Sequence, residues 1–150
     1  VILPRRGMLV ADLNLADLHR IFELRLELEP LAASLAAQRA RPEQIEAMEA
    51  LFEQPAGDAR QLIDIDHRAH QLIAAGAQNE FLAESLDRLY SHVLRLWFMS
   101  LDRVPRLAAA VAEHREIAAA IRRRKHGLAA RLMRVHVAGF QDDVLRVDVA

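Results

Sequence analysis

Residues 107–140 read LAAAVAEHREIAAAIRRRKHGLAARLMRVHVAGF, and this stretch decides the fold class. Alanine, leucine and arginine are good helix formers and dominate it, and apolar side chains recur at helical spacing on both sides of Gly127. We therefore predict a helical hairpin, with one helix ending near residue 124, a turn at Gly127 and a last helix ending near residue 144. Residues equidistant from such a turn lie at the same height, so His114 and His136 can face each other across it.

Outward from this hairpin, start and stop signals divide the rest of the chain into further helices. Asn14, Asp58 and Asn79 are predicted N-caps, and Gly76 is a predicted helix end. Proline inside a helix loses a hydrogen bond and clashes with the preceding turn, so Pro30 is expected to kink the first helix or to start a new one. The predicted helices cover residues 15–28, 31–40, 41 to before 55, 59–75 and 80–100, with a break at residues 102–105.

The composition supports an all-α protein, an antiparallel bundle of six to seven helices. Its 150 residues are 53% hydrophobic, which suits one domain with one core, predicted at 12–150 after an extended lead-in at 1–11. The formal net charge of −1 gives no basic field that would favour nucleic acid or membrane binding by this chain. The absence of cysteine excludes disulfides and thiolate catalysis and fits a cytoplasmic protein. No apolar run reaches the roughly 18 residues of a membrane span.

Four residues form a candidate metal site: Asp66, His70, His114 and His136. Asp66 and His70 are four residues apart, so they share one face of a helix and can offer an oxygen and a nitrogen to the same ion. His114 and His136 can add two more nitrogens from the hairpin. Three imidazoles and one carboxylate suit a divalent transition metal, with zinc expected first and nickel, iron or manganese as alternatives.

Each of these residue types also has a simpler interpretation. A histidine on the inner face of a bundle can be a hydrogen-bonded core residue, and an Asp/His pair can be a hydrogen bond on a helix surface. His92 is a rival, because His92 and His114 are equidistant from the break near residue 103, so His92 can replace one ligand or line a pocket. His67 is expected at the surface, and Glu113 is expected to point away from the metal ligands.

Arg25 falls within the apolar stripe of the first helix, where a buried arginine needs an anionic partner. That partner is either Glu29, four residues on, or the carboxylate of a bound ligand. Arg95 is a further candidate of the same kind. Arg25, Arg95 and His92 are therefore the predicted effector-binding residues.

The chain resembles the C-terminal ligand-binding (FCD) domain of GntR-family transcription regulators, in the FadR-like subgroup, over about residues 12–140. Residues 5–10 also resemble the end of the winged helix-turn-helix domain of that family. The stretches that carry the FCD resemblance are Glu23-Leu24-Arg25, Leu28-Glu29-Pro30-Leu31-Ala32-Ala33, Asp66-His67-Arg68-Ala69-His70, Gly76-Ala77-Gln78-Asn79, His114-Arg115-Glu116-Ile117 and Leu132-Met133-Arg134-Val135-His136.

The resemblance implies a bundle of six or seven helices that forms a homodimer and binds a small organic acid, often a carboxylate, in a pocket that often holds a divalent metal. The four candidate ligands match the metal ligands of the family, and Arg25 matches a pocket arginine less securely. It also implies that DNA is bound only by an upstream domain, of which residues 1–11 are the remaining linker.

Three functions are compatible with this sequence. The first is an effector sensor that binds its ligand without turning it over. The second is a helical metalloenzyme, but no Glu-x-x-His pair of a di-iron bundle is present. The third is a metal-free helical interaction module with histidines in its core. We expect the first, and no catalytic residue is predicted.

Overall fold

The structure is a computed structural model that describes residues 2–3, 7–8, 15–54, 57–99 and 104–145. Six helices account for nearly all of them, and two short antiparallel strands pair Ile2 with Met8 and Leu3 with Gly7. The prediction of an all-α bundle is confirmed. The elements are β1 Ile2–Leu3, β2 Gly7–Met8, α1 Leu15–Arg39, α2 Pro42–Leu51, α3 Ala59–Gly76, α4 Glu80–Met99, α5 Val104–Arg122 and α6 His126–Leu145.

Local chemistry explains where several helices begin. The Asp58 side chain accepts a hydrogen bond from the backbone N–H of Gln61 at 2.9 Å, and Asn79 Oδ1 accepts from the N–H of Leu82 at 3.1 Å. Both predicted caps are therefore confirmed, and α2 begins at Pro42, where a missing N–H costs nothing. The predicted cap at Asn14 and the first two residues of the predicted break at 102–105 lie outside the described residues, and residues 104 and 105 already belong to α5.

A new helix start at Pro30, one of the two expected outcomes, is wrong, because α1 is a single helix of 25 residues that runs through it. A proline in a helix interior costs about 3 kcal/mol. Here that cost is outweighed by burial on both sides of the proline, since α1 packs against α3, α4, α5 and α6 and buries Phe22, Ala33 and Ala36 completely. The described part of the chain therefore forms six helices, within the predicted range of six to seven.

Helix α3 ends at Gly76 as predicted, whereas the turn that ends α5 does not use the predicted Gly127. Gly127 lies in the first turn of α6, and Arg124 adopts the left-handed conformation instead, with φ 58°. The N–H groups of Arg124 and Lys125 donate to the carbonyls of Ile121 and Ala120, which closes the end of α5. The Arg124 side chain also donates to the Ala37 carbonyl at 3.3 Å, a contact that holds this turn against α1.

Gly76 has a packing role at the end of α3. A Cβ atom at this position would lie 3.0 Å from the methyl group of Met48 and 3.3 Å from the Cβ atoms of Ala36 and Ala40. Glycine therefore allows α3 to approach α1 and α2 closely. The left-handed residue after this helix is Gln78, with φ 53°.

The core of the bundle contains six buried polar or charged side chains among its apolar ones. Burying such groups is costly unless each has a partner, so their clustering identifies the part of the core with a task other than packing. The six residues are Arg25, Glu29, Asp66, His70, His114 and His136.

None of the helices in the described part of the chain is long and apolar enough to cross a membrane.

Candidate metal centre

Four of these buried side chains meet at one point of the core: Asp66 and His70 from α3, His114 from α5 and His136 from α6. Each offers one ligand-type atom, and these atoms all lie within 4.8 Å of one another. The structure thus brings together the four predicted ligands. Asp66 and His70 share one face of α3, and the rings of His114 and His136 lie 4.2 Å apart, centroid to centroid, across the α5–α6 hairpin.

Each imidazole has its Nδ1 atom directed at an acceptor. Nδ1 of His114 donates to the backbone carbonyl one turn earlier at 3.0 Å, and Nδ1 of His136 donates to Glu113 Oε2 at 2.6 Å. Nδ1 of His70 lies 2.6 Å from Glu29 Oε2. Because carbonyl and carboxylate oxygens only accept hydrogen bonds, each Nδ1 carries a proton, and each neutral ring keeps its lone pair on Nε2.

The Nε2 atoms then carry the metal-binding lone pairs. Nε2 of His70 and Nε2 of His136 are 3.3 Å apart, and Nε2 of His114 is buried with no hydrogen-bond partner in the described part of the chain. Two lone pairs at this distance repel each other unless a proton or a cation lies between them. Zinc–nitrogen bonds of about 2.0–2.1 Å in a tetrahedron separate two ligand atoms by about 3.3 Å. The spacing of this pair therefore fits a tetrahedral metal ion.

Asp66 provides the one carboxylate of the cluster and is 1% exposed. The hydroxyl of Tyr90 and Nε1 of Trp97 both donate to its Oδ2, the latter at 3.2 Å. Its Oδ1 lies 3.3 Å from Nδ1 of His114 and has no hydrogen-bond partner among the described residues. A buried carboxylate oxygen without a partner is costly, and a metal ion would satisfy it.

The protonation states favour metal binding. Burial lowers the pKa of His114 well below its ordinary value, and the neighbouring His136 and His70 lower it further. Burial also lowers the pKa of His136, against the opposing effect of its hydrogen bond to Glu113. Both rings are therefore neutral at pH 7, which is the form that binds metals. Burial and the nearby Asp66 raise the pKa of Tyr90, so its phenol stays protonated and donates.

Glu113 supports His136, so the expectation that it points away from the site is wrong. Arg106 Nη1 donates to Glu113 Oε1 at 2.7 Å, while Glu113 Oε2 accepts from His136. Partial burial raises the pKa of Glu113, but the hydrogen bonds from His136 and Arg106 outweigh this and lower it. The hairpin register could have predicted this contact, because position 113 pairs with position 137, next to His136.

Glu29 links Arg25 to His70. Nε of Arg25 donates to Glu29 Oε1 at 2.5 Å, while Glu29 Oε2 faces the His70 ring. Burial alone would raise the pKa of Glu29, but Arg25 and His70 lower it, so the carboxylate is ionised. The Arg25–Glu29 pair, one of the two open interpretations of Arg25, is therefore present. Nη1 of Arg25 is still buried without a hydrogen-bond partner among the described residues.

Helix α4 carries the other two predicted effector-binding residues. His92 and Arg95 are both partly buried, and His92 is not a member of the four-residue cluster. Nδ1 of His92 is buried and has no hydrogen-bond partner in the part of the chain described. Tyr90 and Trp97, which hold Asp66, also lie on α4 and were not predicted. Their spacing of seven residues, which puts two aromatic rings with polar ends on one helix face, was the available signal.

The comparisons with known proteins agree with this architecture. The family model described as the FCD domain matches residues 20–139, which is most of the chain. The chain belongs to the FCD domain family. Among solved structures, this FCD domain is similar to Streptococcus agalactiae GntR, with 26% sequence identity and a TM-score of 0.69 over 83% of this chain. The chain spans 58% of the length of that protein chain. The comparison with curated proteins found no match.

The Glu113–His136 contact leads to a first prediction. Glu113→Gln should weaken zinc binding by about 10- to 100-fold, because a neutral amide orients the imidazole and raises its basicity less than a carboxylate does. Competition titration with a chromophoric chelator measures this affinity. Glu116→Gln is the matched control, since Glu116 is exposed on the same helix. Equal zinc affinities for the Glu113 and Glu116 variants would show that Glu113 does not act on the metal site.

Proposed function

We propose that this FCD domain is the effector-sensing part of a GntR-type transcription regulator, and that Asp66, His70, His114 and His136 hold a divalent metal. One observation carries the proposal: three buried imidazoles have Nδ1 directed at acceptors and Nε2 left for a cation, beside a buried carboxylate oxygen without a partner. Histidines that only fill a core would not need this arrangement.

Zinc is the proposed ion. Three nitrogens and one oxygen form a complete tetrahedral set for zinc, and the 3.3 Å separation of two Nε2 atoms supports that geometry. Nickel, iron or manganese would prefer more ligands and would keep positions open for a ligand of another kind. When bound, the ion would supply a positive centre, and zinc would have to expand from four to five ligands to take an oxygen of the effector. The residues of the chain fix the rings and exclude bulk water.

The proposed effector is a small organic acid. Arg25 Nη1 and His92 Nδ1 support this proposal, because each is a buried polar atom that a bound molecule would satisfy. Arg95 is proposed as a second cation for the acid. Because Arg25 is already paired through Nε with Glu29, only the other side of its guanidinium would be offered to a carboxylate.

The proposed role is binding without turnover. Two acids outside the cluster, Glu113 and Glu29, contact its histidines. Glu113 is engaged by His136 and Arg106, Glu29 is engaged by His70 and Arg25, and these contacts lower the pKa of both. A carboxylate held in this way is a poor general base.

DNA would be bound by an upstream domain, in keeping with the partial coverage of the S. agalactiae protein. A regulator of this kind would act in the cytoplasm.

The metal proposal predicts that protein purified without added metal carries about one divalent ion per chain, measured by elemental analysis. Asp66→Asn and His136→Ala should remove most of it, because each deletes one of four ligands. His19→Ala and His126→Ala change exposed histidines and are the controls. Circular dichroism checks that the helices persist. A metal-free wild-type protein that stays metal-free after incubation with zinc or nickel would contradict the proposal.

The effector proposal predicts that a small carboxylate raises the melting temperature only in the metal-loaded protein. A ligand at a hundredfold excess over its dissociation constant adds about 2.7 kcal/mol to the free energy of unfolding. Thermal-shift measurements with and without chelator test this with mono-, di- and tricarboxylates. Arg25→Lys should reduce the shift, whereas Arg20→Lys, on the exposed side of α1, should not. Equal shifts with and without metal would contradict metal-dependent binding.

A homodimer is also part of the proposal. Leu24 and Leu31 are about half exposed and lie seven residues apart on one face of α1, and Val135 of α6 is 69% exposed. Arg134, next to Val135, donates to Glu27 on the same face of α1 at 3.4 Å, so α6 lies beside this face of α1. A second copy of the chain is the partner that the resemblance implies for such a surface.

The dimer proposal predicts that Leu24→Lys combined with Leu31→Lys converts the protein into a monomer, because two buried ammonium groups would face each other across a symmetric interface. Light scattering after size-exclusion chromatography gives the mass. Phe81→Lys, at an exposed site at the start of α4, is the control and should leave the mass unchanged. A wild-type protein that is monomeric at high concentration would contradict the dimer.

A further inference from the structure

A cavity of about 290 Å³ opens beside the metal centre, between helices α1, α3 and α4. Apolar side chains form most of its floor, among them Ala74 and Ile73 of α3, Ala83 and Leu86 of α4 and Met133 of α6. The volume is at the small end of the range for ligand pockets, so it suits a molecule of modest size. The polar part of its lining is what distinguishes it from the proposed effector site.

The charged groups of this cavity are acidic. Glu29, Glu84 and Asp87 contribute carboxylates, and none of the described lining residues is lysine or arginine. Arg25, Arg95 and His92, proposed above for the organic acid, are absent from its described lining. An anion entering here would lose water and meet like charges, whereas a cation would meet opposite ones.

The rim of the cavity is built by α3 and α4 together. Asp87 and Glu84 lie three residues apart on one face of α4, and Gln71 of α3 donates to Asp87 Oδ1 at 3.3 Å. His67 lies 3.9 Å from the same oxygen and stacks on Tyr90, with ring centroids 4.7 Å apart and planes 6° from parallel. His67 is thus part of the cavity wall and only a quarter exposed, unlike the surface residue expected from sequence.

We propose that this cavity binds a small organic amine, with the ammonium group at Glu84 and Asp87 and the apolar part over Ala74, Ala83 and Leu86. The apolar floor favours an organic cation over an inorganic one, because a hydrated metal ion has no apolar part that could pack against this floor. The biological meaning of this binding, as a second signal, rests on the proposed sensing function. The binding itself rests on the cavity alone.

Three probes with the same six-carbon body separate charge from shape: n-hexylamine, hexanoate and hexanol at pH 7. Isothermal titration calorimetry of the 150-residue chain should give hexylamine an affinity about tenfold or more above those of the other two, as expected for two ion pairs at the rim. The titrations are run on metal-free and on zinc-loaded protein, with metal content measured in each sample.

Two pairs of variants locate the binding. Glu84→Gln with Asp87→Asn should remove the preference for hexylamine, whereas Glu46→Gln with Asp142→Asn removes the same charge from exposed sites elsewhere and should preserve it. Ala83→Leu fills the cavity and should weaken all three probes by about tenfold or more, from loss of the space for the six-carbon body. Ala108→Leu, at an exposed site on α5, should not.

Three results would overturn the inference: hexanoate binding as tightly as hexylamine, none of the probes binding at millimolar concentration, or a charge preference that survives in the Glu84/Asp87 variant. Hexylamine binding with the expected preference in a protein that stays metal-free after incubation with zinc or nickel would support the cavity while contradicting the metal proposal. The two proposals therefore fail separately.

Discussion

The burial of three imidazoles around one carboxylate is the constraint on which the interior of this bundle depends. Asp66 and three histidines are at most 8% exposed, in a core whose other buried charged groups, among the described residues, are Arg25 and Glu29. Such a cluster is tolerable only if its protons have acceptors and its buried polar atoms have partners. The Nδ1 atoms meet this requirement through Glu29, Glu113 and one backbone carbonyl, which leaves the Nε2 lone pairs and one carboxylate oxygen for a cation.

This requirement draws on five of the six helices. Helix α3 supplies two of the clustered side chains, and α5 and α6 supply one each, while α1 contributes Glu29 and α4 contributes Tyr90 and Trp97. Helix α2 donates none of these groups. It packs on α3 and α5, and Gly76 allows the end of α3 to approach Met48 of α2 closely. The short helix thus helps to fix the position of α3, the helix with two of the proposed ligands.

Symmetry within a hairpin explains what could be predicted from sequence. His114 and His136 are equidistant from residue 125, and the turn at residues 123–125 contains that midpoint. The proximity of the two histidines could therefore be predicted, even though Gly127 was the wrong turn residue. The i, i+4 spacing likewise gave the Asp66–His70 face. The contacts of Tyr90 and Trp97 with Asp66 could not be derived in this way, because they depend on the rotation of α4 against α3. No local pattern specifies how two helices separated by a loop are rotated. The continuation of α1 through Pro30 has the same origin, since burial in the assembled bundle outweighs a local propensity.

Glu29 lies between the Arg25 and His70 side of the core and the acid-rimmed cavity. On one side it faces His70 and is paired with Arg25, and on the other it lines the acid-rimmed cavity. Its ionised carboxylate is compensated by Arg25, so the pair as a whole adds little net charge to the cavity, whose negative character comes from Glu84 and Asp87 at the rim. The acidic rim at the mouth of the cavity would therefore select a ligand by its charge. The inner end of that ligand would contact Glu29, which supports His70. By linkage, any change that such a ligand causes in zinc affinity must equal the change that zinc causes in the affinity of the ligand. The effect would be transmitted through Glu29, because this side chain contacts a metal-site histidine and also lines the cavity.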